Sequence, residues 1–320
     1  MLSVALLSAL SGCGSTTVIP SASPPPAVVT GAFDGVIVGA GFGTSPAKTN
    51  LQGYQTTTGK KLGIVMWYMS WSDPNFPAAD AQAVVENGSI PEVVWEPVGV
   101  NFLGVLQGRY DATIEAWASG ARNFGKPIFL RFAHEMNGNW YSWSGTQLGG
   151  GTFGSSRFID VWRYVHNKFV GAGATNVIWV YCPNNTNTPD KDTNTVLAYY
   201  PGDAYVDWIG IDGFNLGGSQ SKTFDQLFAD PYAALAAAHS SKPMMMGEFG
   251  CAEAGGNKAA WIQDAYSKIL SSYPRFKSVQ WFEVDKSASG EADWRVESST
   301  TSLNAYKAAI GSASFITAIP

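Results

Sequence analysis

Residues Pro127–Trp143 read PIFLRFAHEMNGNWYSW, and the fold can be worked out from this stretch. It opens with the apolar run Ile128–Phe132, which is typical of a strand buried on both faces. Arg131 interrupts that run, and His134 and Glu135 follow it before the loop-forming sequence NGN. Charged side chains on a buried strand are costly unless they are paired or used. The stretch therefore predicts a functional site where this strand ends.

Strand-like apolar runs alternate with amphipathic, helix-like stretches along the rest of the chain. The predicted strands are Gly35–Ala40, Leu62–Trp71, Glu92–Pro97, Ile128–Glu135, Val177–Pro183, Val206–Phe214, Pro243–Phe249 and Val279–Val284. The predicted helices are Ala78–Glu86, Tyr110–Phe124, Ser156–Val170, Phe224–Ala238, Lys258–Ser271 and Leu303–Ile310. This alternation predicts a (β/α)8 TIM barrel in one catalytic domain, with a doubly wound open sheet as the competing architecture. The Asn/Thr-rich link between the fifth and sixth strands gives the weakest helix signal, the short stretch Val196–Tyr200.

The amino-acid composition limits the classes of protein to which this chain can belong. The chain has 320 residues, of which 45% are hydrophobic and 14% charged, enough to build a large core. A net charge of -5 gives no electrostatic reason to expect a nucleic-acid partner. No apolar run reaches about 18 residues, so no transmembrane helix is expected. Cys182 and Cys251 lie in distant segments, and their pairing stays open.

The N-terminus resembles a targeting segment. Residues 1–12 contain the short apolar run Leu2–Leu10 and small residues before Cys13, as in a bacterial lipoprotein signal. We expect cleavage before Cys13, a lipid anchor on it, and a secreted protein at the bacterial cell surface or in the periplasm. An ordinary secretory signal is the alternative, and the missing basic residues leave open whether the native protein starts at Met1. Residues 13–30 are Ser/Thr/Pro-rich and predict a tether before the barrel domain, residues 31–320.

Polar residues recur where the predicted strands end. The fourth strand ends at Glu135, Asn184 follows the fifth, Asp212 lies near the end of the sixth, and Glu248 occurs in MMMGEFG on the seventh. Barrel enzymes carry their chemistry at these strand ends, so Glu135 and Glu248 should face a common cleft. Glycoside hydrolysis uses two carboxyl groups, a protonated acid of raised pKa and an ionised nucleophile or base. Structural ion pairs are the alternative for these two residues.

The segment RFAHEMNGNWYSW, together with MGEFG and a Trp-bearing eighth strand, resembles glycoside hydrolase family 26. The resemblance spans roughly Gly31–Ile310 and implies a (β/α)8 barrel that works by a retaining double displacement. It also implies that Glu135 is the acid/base and Glu248 the nucleophile. His134 would match the histidine beside the acid, and Trp281 the platform under the sugar at the cleavage point.

Further side chains are expected to line the cleft. The resemblance places Asn184 and Asp212 at positions that often carry cleft polar groups. Trp140 and Trp143 offer flat apolar faces for sugar rings. Phe214 stands where the family often has a tyrosine that hydrogen-bonds the nucleophile, so another group must fill that role. The predicted substrate-binding residues are His134, Arg131, Trp140, Trp143, Asn184, Asp212, Phe214 and Trp281.

No cofactor and no metal are expected. The glycines of Gly39–Gly43 have the spacing G-x-G-x-G, and no acidic residue lies between Asp34 and Asp73 to hold a ribose. Position 138 is Gly138, where a zinc-protease motif needs its second histidine, and the chain has three histidines. The G-x-S-x-G elbow of serine hydrolases does not occur.

The predicted function is an endo-acting, retaining β-glycanase for a plant- or algal-type polysaccharide. RFAHEMNG and the upstream VVWEP resemble the mixed-linkage β-1,3-1,4-glucanase members more than mannanases, whose corresponding strand usually reads RPLHEMNG. Mannose carries an axial 2-hydroxyl beside the reacting carbon, and Phe214 offers it no hydrogen bond. Mixed-linkage glucan is therefore favoured over endo-β-1,4-mannanase or β-1,3-xylanase activity. A non-catalytic polysaccharide-binding barrel and a barrel enzyme of another chemistry are the remaining alternatives.

Overall fold

The computed structural model describes residues 30–46, 49–254 and 256–318. The predicted signal segment, Cys13 and all but the last residue of the tether lie outside them. Among the helices of these residues, none combines the length and the apolar character needed to cross a bilayer. Both cysteines of the described part, Cys182 and Cys251, are buried and unpaired.

Eight parallel strands form a closed barrel. Each strand pairs with the next along the chain, and β8 pairs with β1, which excludes the open sheet. The strands are β1 (Val36–Gly41), β2 (Ile64–Ser70), β3 (Ile90–Glu96), β4 (Ile128–Phe132), β5 (Val177–Tyr181), β6 (Trp208–Asn215), β7 (Met244–Cys251) and β8 (Phe276–Phe282). A two-residue strand, β9 (Phe315–Ile316), pairs with the start of β1.

Helices cover the outside of the barrel. They are α1 (Leu51–Thr58), α2 (Ala78–Glu86), α3 (Phe102–Leu106), α4 (Asp111–Phe124), α5 (Gly151–Gly171), α6 (Phe224–Ala238), α7 (Lys258–Ser271) and α8 (Thr300–Ile310). The bounds predicted for α2, α6 and α7 are confirmed. The sequence analysis missed α1 and α3, which are short and begin at Asn50 and Asn101, asparagines that accept backbone N–H groups. The link from β5 to β6 carries two 3-10 turns and no α-helix, as its weak signal indicated.

Apolar side chains fill two regions of the barrel. The larger region lies between the strands and the helices and is rich in tryptophan. The smaller region fills the barrel interior and consists of Ile37, Ile64, Phe129, Ile178, Val180, Cys182, Trp208 and Met245. Buried polar side chains accompany it, where Gln280 Nε2 donates to Glu92 Oε2 at 2.7 Å. Glu92 Oε1 in turn lies 3.6 Å from Arg131 Nη1, so a polar network inside the barrel supports the strand ends.

Candidate active site

A cavity of about 900 Å³ lies at the carboxyl ends of the barrel strands. We call it the cleft. Its walls include Glu96 at the end of β3, Glu135 after β4, Asn184 after β5, Glu248 on β7 and Phe282 at the end of β8. Both predicted catalytic carboxyl groups therefore line one cavity, as expected for a barrel enzyme.

Glu135 is held in the cleft by its backbone and by two side chains. Its φ of 53° lies in the left-handed region, and its N–H donates to the carbonyl of Cys182 on the neighbouring segment. Asn184 Nδ2 donates to Glu135 Oε1 and Trp140 Nε1 donates to Oε2, both at 2.8 Å. A non-glycine residue with positive φ is strained and persists only where its surroundings enforce it. The carboxyl group of Glu135 is thus fixed in direction.

Glu135 has the properties of a proton donor at neutral pH. Burial and the nearby negative charge of Glu248 raise its pKa to about 7, against the hydrogen bonds from Asn184 and Trp140. The side chain is 7% exposed, so the neutral form avoids most of the cost of burying a charge. Near pH 7 this carboxyl group can give up a proton and take it back.

Glu248 sits beside a buried cation. Arg131 Nη2 donates to Glu248 Oε1 at 2.9 Å and to Asp212 Oδ2 at 2.6 Å. Burial alone would lower the pKa of Arg131, but Asp212, Cys182, Glu248 and Glu92 raise it above its already high value. Arg131 therefore stays charged and gives Glu248 a charge-assisted hydrogen bond, whereas no such cation donates to Glu135.

Gly247 makes room for this ion pair. A Cβ on Gly247 would lie 2.6 Å from Asp212 Oδ1, 2.7 Å from Cys182 Sγ and 2.8 Å from Arg131 Nη1. The register of β6 and β7 shifts at Asp212, which pairs with Glu248 and skips Gly247. Glycine is thus required here by close approach, and the bulge points both carboxylates at the same guanidinium.

Two further carboxyl groups lie on β3. Burial raises the pKa of both Glu92 and Glu96 to about 7. Glu92 is enclosed beneath the cleft, and Glu96 lines it. Because Arg131 is shared among several buried carboxylates, some of these groups keep their protons at neutral pH.

His134, Asp212 and Glu248 bring possible ligand atoms within 4.8 Å of one another, a spacing that could hold a metal ion. Arg131 already donates to both carboxylates and supplies the positive charge there. Burial lowers the pKa of His134, so the imidazole is neutral. The arrangement works as a charge-balanced cluster, and we assign no metal to it.

Comparison with known proteins agrees with this geometry. The sequence model of the family described as "Glycosyl hydrolase family 26" matches residues 44–272. The chain belongs to glycosyl hydrolase family 26. Its family 26 barrel is 40% identical over 287 residues to "Endoglucanase H" of Acetivibrio thermocellus, covering 88% of this chain and 31% of that protein. It is 25% identical over 183 residues to a "Mannan endo-1,4-beta-mannosidase" of Bacillus subtilis, covering 54% and 43%. The chain thus spans less than half the length of these curated relatives.

Solved structures show the same fold as this family 26 domain. A modular endo-β-1,4-mannanase from Cellulomonas fimi superposes with a TM-score of 0.69 at 17% identity, over 91% of this chain and 74% of that one. A β-mannanase from Bacteroides ovatus gives 0.69 at 16% identity, over 90% and 92%. At such identities the likeness concerns the fold alone.

The family 26 cleft brings together half of the predicted site residues. Glu135, Glu248, Trp140, Asn184 and Phe214 line it. Three others lie beneath its floor, where their side chains are buried: Arg131, His134 and Asp212. Arg131 and Asp212 were predicted to bind substrate, and this structure places both fully enclosed, away from the cleft surface. Arg131 pairs with both Asp212 and Glu248 there. His134 is 1% exposed and likewise acts from below the cleft, not as a direct contact.

Trp143 and Trp281, both predicted as sugar contacts, are buried in this structure and do not line the family 26 cleft. Trp143 is 1% exposed, stacks on Tyr141 at 4.2 Å and donates to the carbonyl of His134. Trp281 is fully buried and packs outside the barrel against Phe249 and Tyr306. Side chains alternate across a strand, so Phe282, next to Trp281, faces the cleft.

The sequence analysis missed several cleft residues. Tyr68 on β2, Tyr141 and Phe282 line the cavity, together with the loop residues Leu216 and Lys222. Alternation along β8 would have selected Phe282, because Gln280 two residues earlier points into the barrel. The two loop residues carry no local signal, since their place depends on how the loop after β6 folds back over the barrel.

Proposed function

We propose that this protein is an O-glycosyl hydrolase, an endo-acting β-glycanase that retains configuration at the anomeric carbon. The observation that carries the proposal is the contrast between two carboxyl groups of one cleft. Glu135 has a pKa of about 7, whereas Glu248 accepts a hydrogen bond from a buried, charged arginine. Retaining glycosidases need one protonated and one ionised carboxyl group in this way.

The proposed reaction has two steps. In the first, Glu135 gives its proton to the glycosidic oxygen while the carboxylate of Glu248 attacks the anomeric carbon, which forms a covalent ester and releases the leaving sugar. In the second, the Glu135 carboxylate takes a proton from a water molecule, whose oxygen attacks the same carbon and frees Glu248. Asn184 and Trp140 donate to Glu135 and stabilise its ionised form between the steps.

Endo action is supported by the shape of the cleft. Trp140 and Leu216 stand on its walls with 47% and 51% of their surfaces exposed, and they offer apolar faces beyond the two carboxyl groups. A long polysaccharide chain contacts such walls on both sides of the bond that is cleaved.

We propose mixed-linkage β-1,3-1,4-glucan as the first substrate and β-mannan as the second. Forty per cent identity to a protein named an endoglucanase supports a glucan. Phe214 lines the cleft and has no polar atom for the axial 2-hydroxyl of mannose. Mannan is supported by the similarity to mannan endo-1,4-β-mannosidases. A "Beta-1,3-xylanase" of Alcaligenes sp, 28% identical over 124 residues, keeps β-1,3-xylan as a third polymer to test.

The experiment is a hydrolysis screen of the purified protein on mixed-linkage glucan, β-mannan and β-1,3-xylan. We expect internal cleavage, seen as a fall in viscosity, with the highest kcat/KM on mixed-linkage glucan. A clear preference for mannan would overturn the substrate choice and leave the two glutamates in their roles. Binding to a polymer without release of reducing sugar would indicate a polysaccharide-binding barrel instead.

Two variants test the assignment of roles. Glu248→Ala should remove nearly all turnover, because no covalent intermediate forms. Glu135→Ala should lose activity on polymers but keep the first step on aryl glycosides, whose leaving groups need no proton. A folded Glu248→Ala protein that keeps more than about a tenth of the wild-type rate would contradict the assignment.

For localisation, the proposal is a secreted protein held on the membrane by lipid chains on Cys13. The support is the lipoprotein-like sequence before that cysteine. Cys13→Ser should move the protein from the membrane fraction to the soluble fraction of its native cell, because several acyl chains anchor far more firmly than one. Equal fractionation of the two proteins would contradict the anchor.

A further inference from the structure

A second cavity lies beside the cleft, and we call it the side pocket. Its volume is about 340 Å³, at the lower end of the range for small-molecule sites. Its lining comes from the chain just after β1, from α1, and from the segment that links β8 to α8. It includes Phe42, Tyr54, Thr57, Glu283, Arg295 and Glu297.

The side pocket and the cleft share a wall. Phe282 and Val284 line the cleft, whereas Glu283, which stands between them in the chain, lines the side pocket. Trp294 and Arg295 divide in the same way, with Trp294 in the cleft and Arg295 in the side pocket. Side chains of extended backbone alternate in direction, so these segments present one face to each cavity. A polysaccharide in the cleft therefore lies next to the side pocket.

Glu283 brings an unused hydrogen-bonding atom to the side pocket. The residue is 7% exposed, and its Oε2 accepts the N–H of Val296 at 3.0 Å. Its Oε1 has no hydrogen-bond partner among the residues that the structure describes, although buried polar atoms nearly always have one. Burial and the neighbouring Glu297 raise the pKa of Glu283 well above its usual range, which favours the protonated form. A protonated carboxyl group can both donate to a ligand and accept from it.

The walls of the side pocket are held in place without a ligand. Lys258 Nζ, on α7, donates to the carbonyl of Arg295 at 2.7 Å and to Ser298 Oγ at 2.8 Å, which ties down the segment between β8 and α8. On the other side, the rings of Phe42 and Tyr54 pack edge to face at 5.6 Å. Because the walls are already ordered, binding would cost little conformational entropy.

The charges around the side pocket disfavour an acidic ligand. Arg295 Nη2 already donates to Asp285 Oδ2 at 3.1 Å and to Asp293 Oδ2 at 2.6 Å, so its positive charge is compensated. Glu297 is exposed at the rim and adds a negative charge. A second acid in the ligand would be repelled by these carboxylates.

A neutral sugar fits the side pocket better than a metal ion does. Across the described part of the chain, the groups of three possible metal-binding side chains do not include Glu283 or Glu297. A sugar ring can place its apolar face against Phe42 and Tyr54 and its hydroxyl groups near the free oxygen of Glu283.

We propose that the side pocket is a second, non-catalytic binding site for one sugar unit of a neutral β-glycan. The inference rests on the proposed β-glycan substrate and adds a contact outside the cleft. Two sites that bind the same polymer hold it more firmly than either alone, because the second contact forms within the existing complex. The side pocket would thus keep the enzyme on its polymer between cleavage events.

The first test blocks the side pocket from its rim. Thr57 is exposed on α1 and lines the side pocket, so the long side chain of Thr57→Arg can fill it and pair with Glu297. Thr56→Arg is the control, since Thr56 is exposed on the same helix and does not line the side pocket. Both changes are made in Glu248→Ala, which should not cut the polymer. In gels that contain mixed-linkage glucan, Thr57→Arg should raise the dissociation constant about fivefold or more, and Thr56→Arg should leave it within about twofold.

The second test observes the side pocket directly. Fluorine-19 NMR of protein labelled with 3-fluorotyrosine, with Tyr54 assigned through Tyr54→Phe, reports on a ring that lines the side pocket and not the cleft. Cellotriose should shift this resonance in the wild type and in Glu248→Ala. Glu283→Leu, which removes the free oxygen, should abolish the shift. If that variant does not fold, Thr57→Arg, at an exposed position, should abolish it as well.

A Tyr54 resonance that does not respond to cellotriose would overturn the proposal, as would equal affinities of Thr57→Arg and Thr56→Arg for the polymer. A response to calcium chloride and not to cellotriose would mark a cation site and overturn it too. Failure of the proposed function looks different, because the wild-type protein would then release no sugar from any polymer while cellotriose still shifts the Tyr54 resonance.

Discussion

Asp212 lies opposite Glu248 in the register of β6 and β7, and one nitrogen of Arg131 donates to both carboxylates. A chain that must keep a carboxylate ionised inside a barrel needs a positive charge beside it. Asp212 holds that charge in place from below, and Glu248 presents its carboxylate to the cleft. In the proposed mechanism, the orientation of Glu248 therefore depends on two residues that are buried beneath the cleft.

Arg131→Met should destabilise the fold strongly, because it leaves the carboxylates around it without their cation. We expect the free energy of unfolding to fall by about 3–5 kcal/mol, the usual cost of breaking a buried ion pair. The loss should be larger at pH 8 than at pH 5, since Glu92, whose pKa is about 7, takes up a proton at the lower pH. Urea denaturation at both pH values measures it.

Arg295→Met is the matched control for this prediction. Arg295 also donates to two carboxylates, Asp285 and Asp293, but its side chain is 39% exposed. Its loss should cost no more than about 1 kcal/mol. Equal effects of the two substitutions would contradict a special role for the buried pair.

Gly247→Ala should disturb the same pair through space alone. The added methyl group meets Asp212, Cys182 and Arg131 at distances below 3.0 Å, so the guanidinium and Glu248 must shift. We expect a stability loss of about 1–3 kcal/mol and a clear loss of kcat. Gly171→Ala, at the end of α5 where a Cβ meets nothing within 4 Å, should change neither by a comparable amount. Full activity of Gly247→Ala would show that the packing tolerates movement.

The sequence was sufficient to predict the barrel because each strand is a dense apolar run and most helices are clearly amphipathic. Ala78–Glu86, Phe224–Ala238 and Lys258–Ser271 were predicted with the bounds that the structure has. The two missed helices, Leu51–Thr58 and Phe102–Leu106, are too short for their periodicity to stand out. Closure of the barrel depends on pairing between β1 and β8, which no local pattern records.

Asn184→Ala should change the pH dependence of the reaction in a defined direction. The general acid must be protonated, so with a Glu135 pKa of about 7 the activity should decline as the pH rises through that value. The amide of Asn184 favours the ionised carboxylate, and its removal raises the pKa of Glu135 further. The basic limb of kcat/KM should therefore move to higher pH.

Asn185→Ala is the control for this profile. Asn185 also lines the cleft, but its amide donates to the carbonyl of Leu227 and makes no hydrogen bond to Glu135. The basic limb should stay in place in this variant. A limb that moves down in Asn184→Ala, or does not move at all, would argue against Glu135 as the acid.

Substitution of Trp140 should affect substrate binding, whereas substitution of Trp281 should affect the stability of the fold. Trp140→Ala should raise KM about three- to tenfold, because an aromatic contact contributes about 0.5–1.5 kcal/mol. Trp281→Phe should lower the unfolding temperature and leave KM unchanged, because its indole is buried and donates to the carbonyl of Trp294. Thermal unfolding and steady-state kinetics, measured on both variants, separate the effect on stability from the effect on KM. A raised KM in Trp281→Phe would restore it as a sugar platform.

The two glutamates that line the cleft could be predicted from sequence because each comes near the end of an apolar run and close to a glycine. The roles of Arg131 and Asp212 could not, because a charged residue near a strand end looks the same whether it faces the cleft or supports it. The sequence analysis expected Trp143 and Trp281 in the cleft for a related reason. Trp281 and Phe282 are adjacent on β8, and the direction of each ring is set by the barrel interior.

The central claim is that Glu248 attacks the anomeric carbon and that Glu135 exchanges the proton. The most direct test follows the first reducing sugar released from a β-glycan by proton NMR, before mutarotation. A double displacement predicts the β anomer, which goes with a separation of about 5–5.5 Å between the carboxyl groups of Glu135 and Glu248. Release of the α anomer would mean that a water molecule attacks directly, and it would contradict the account.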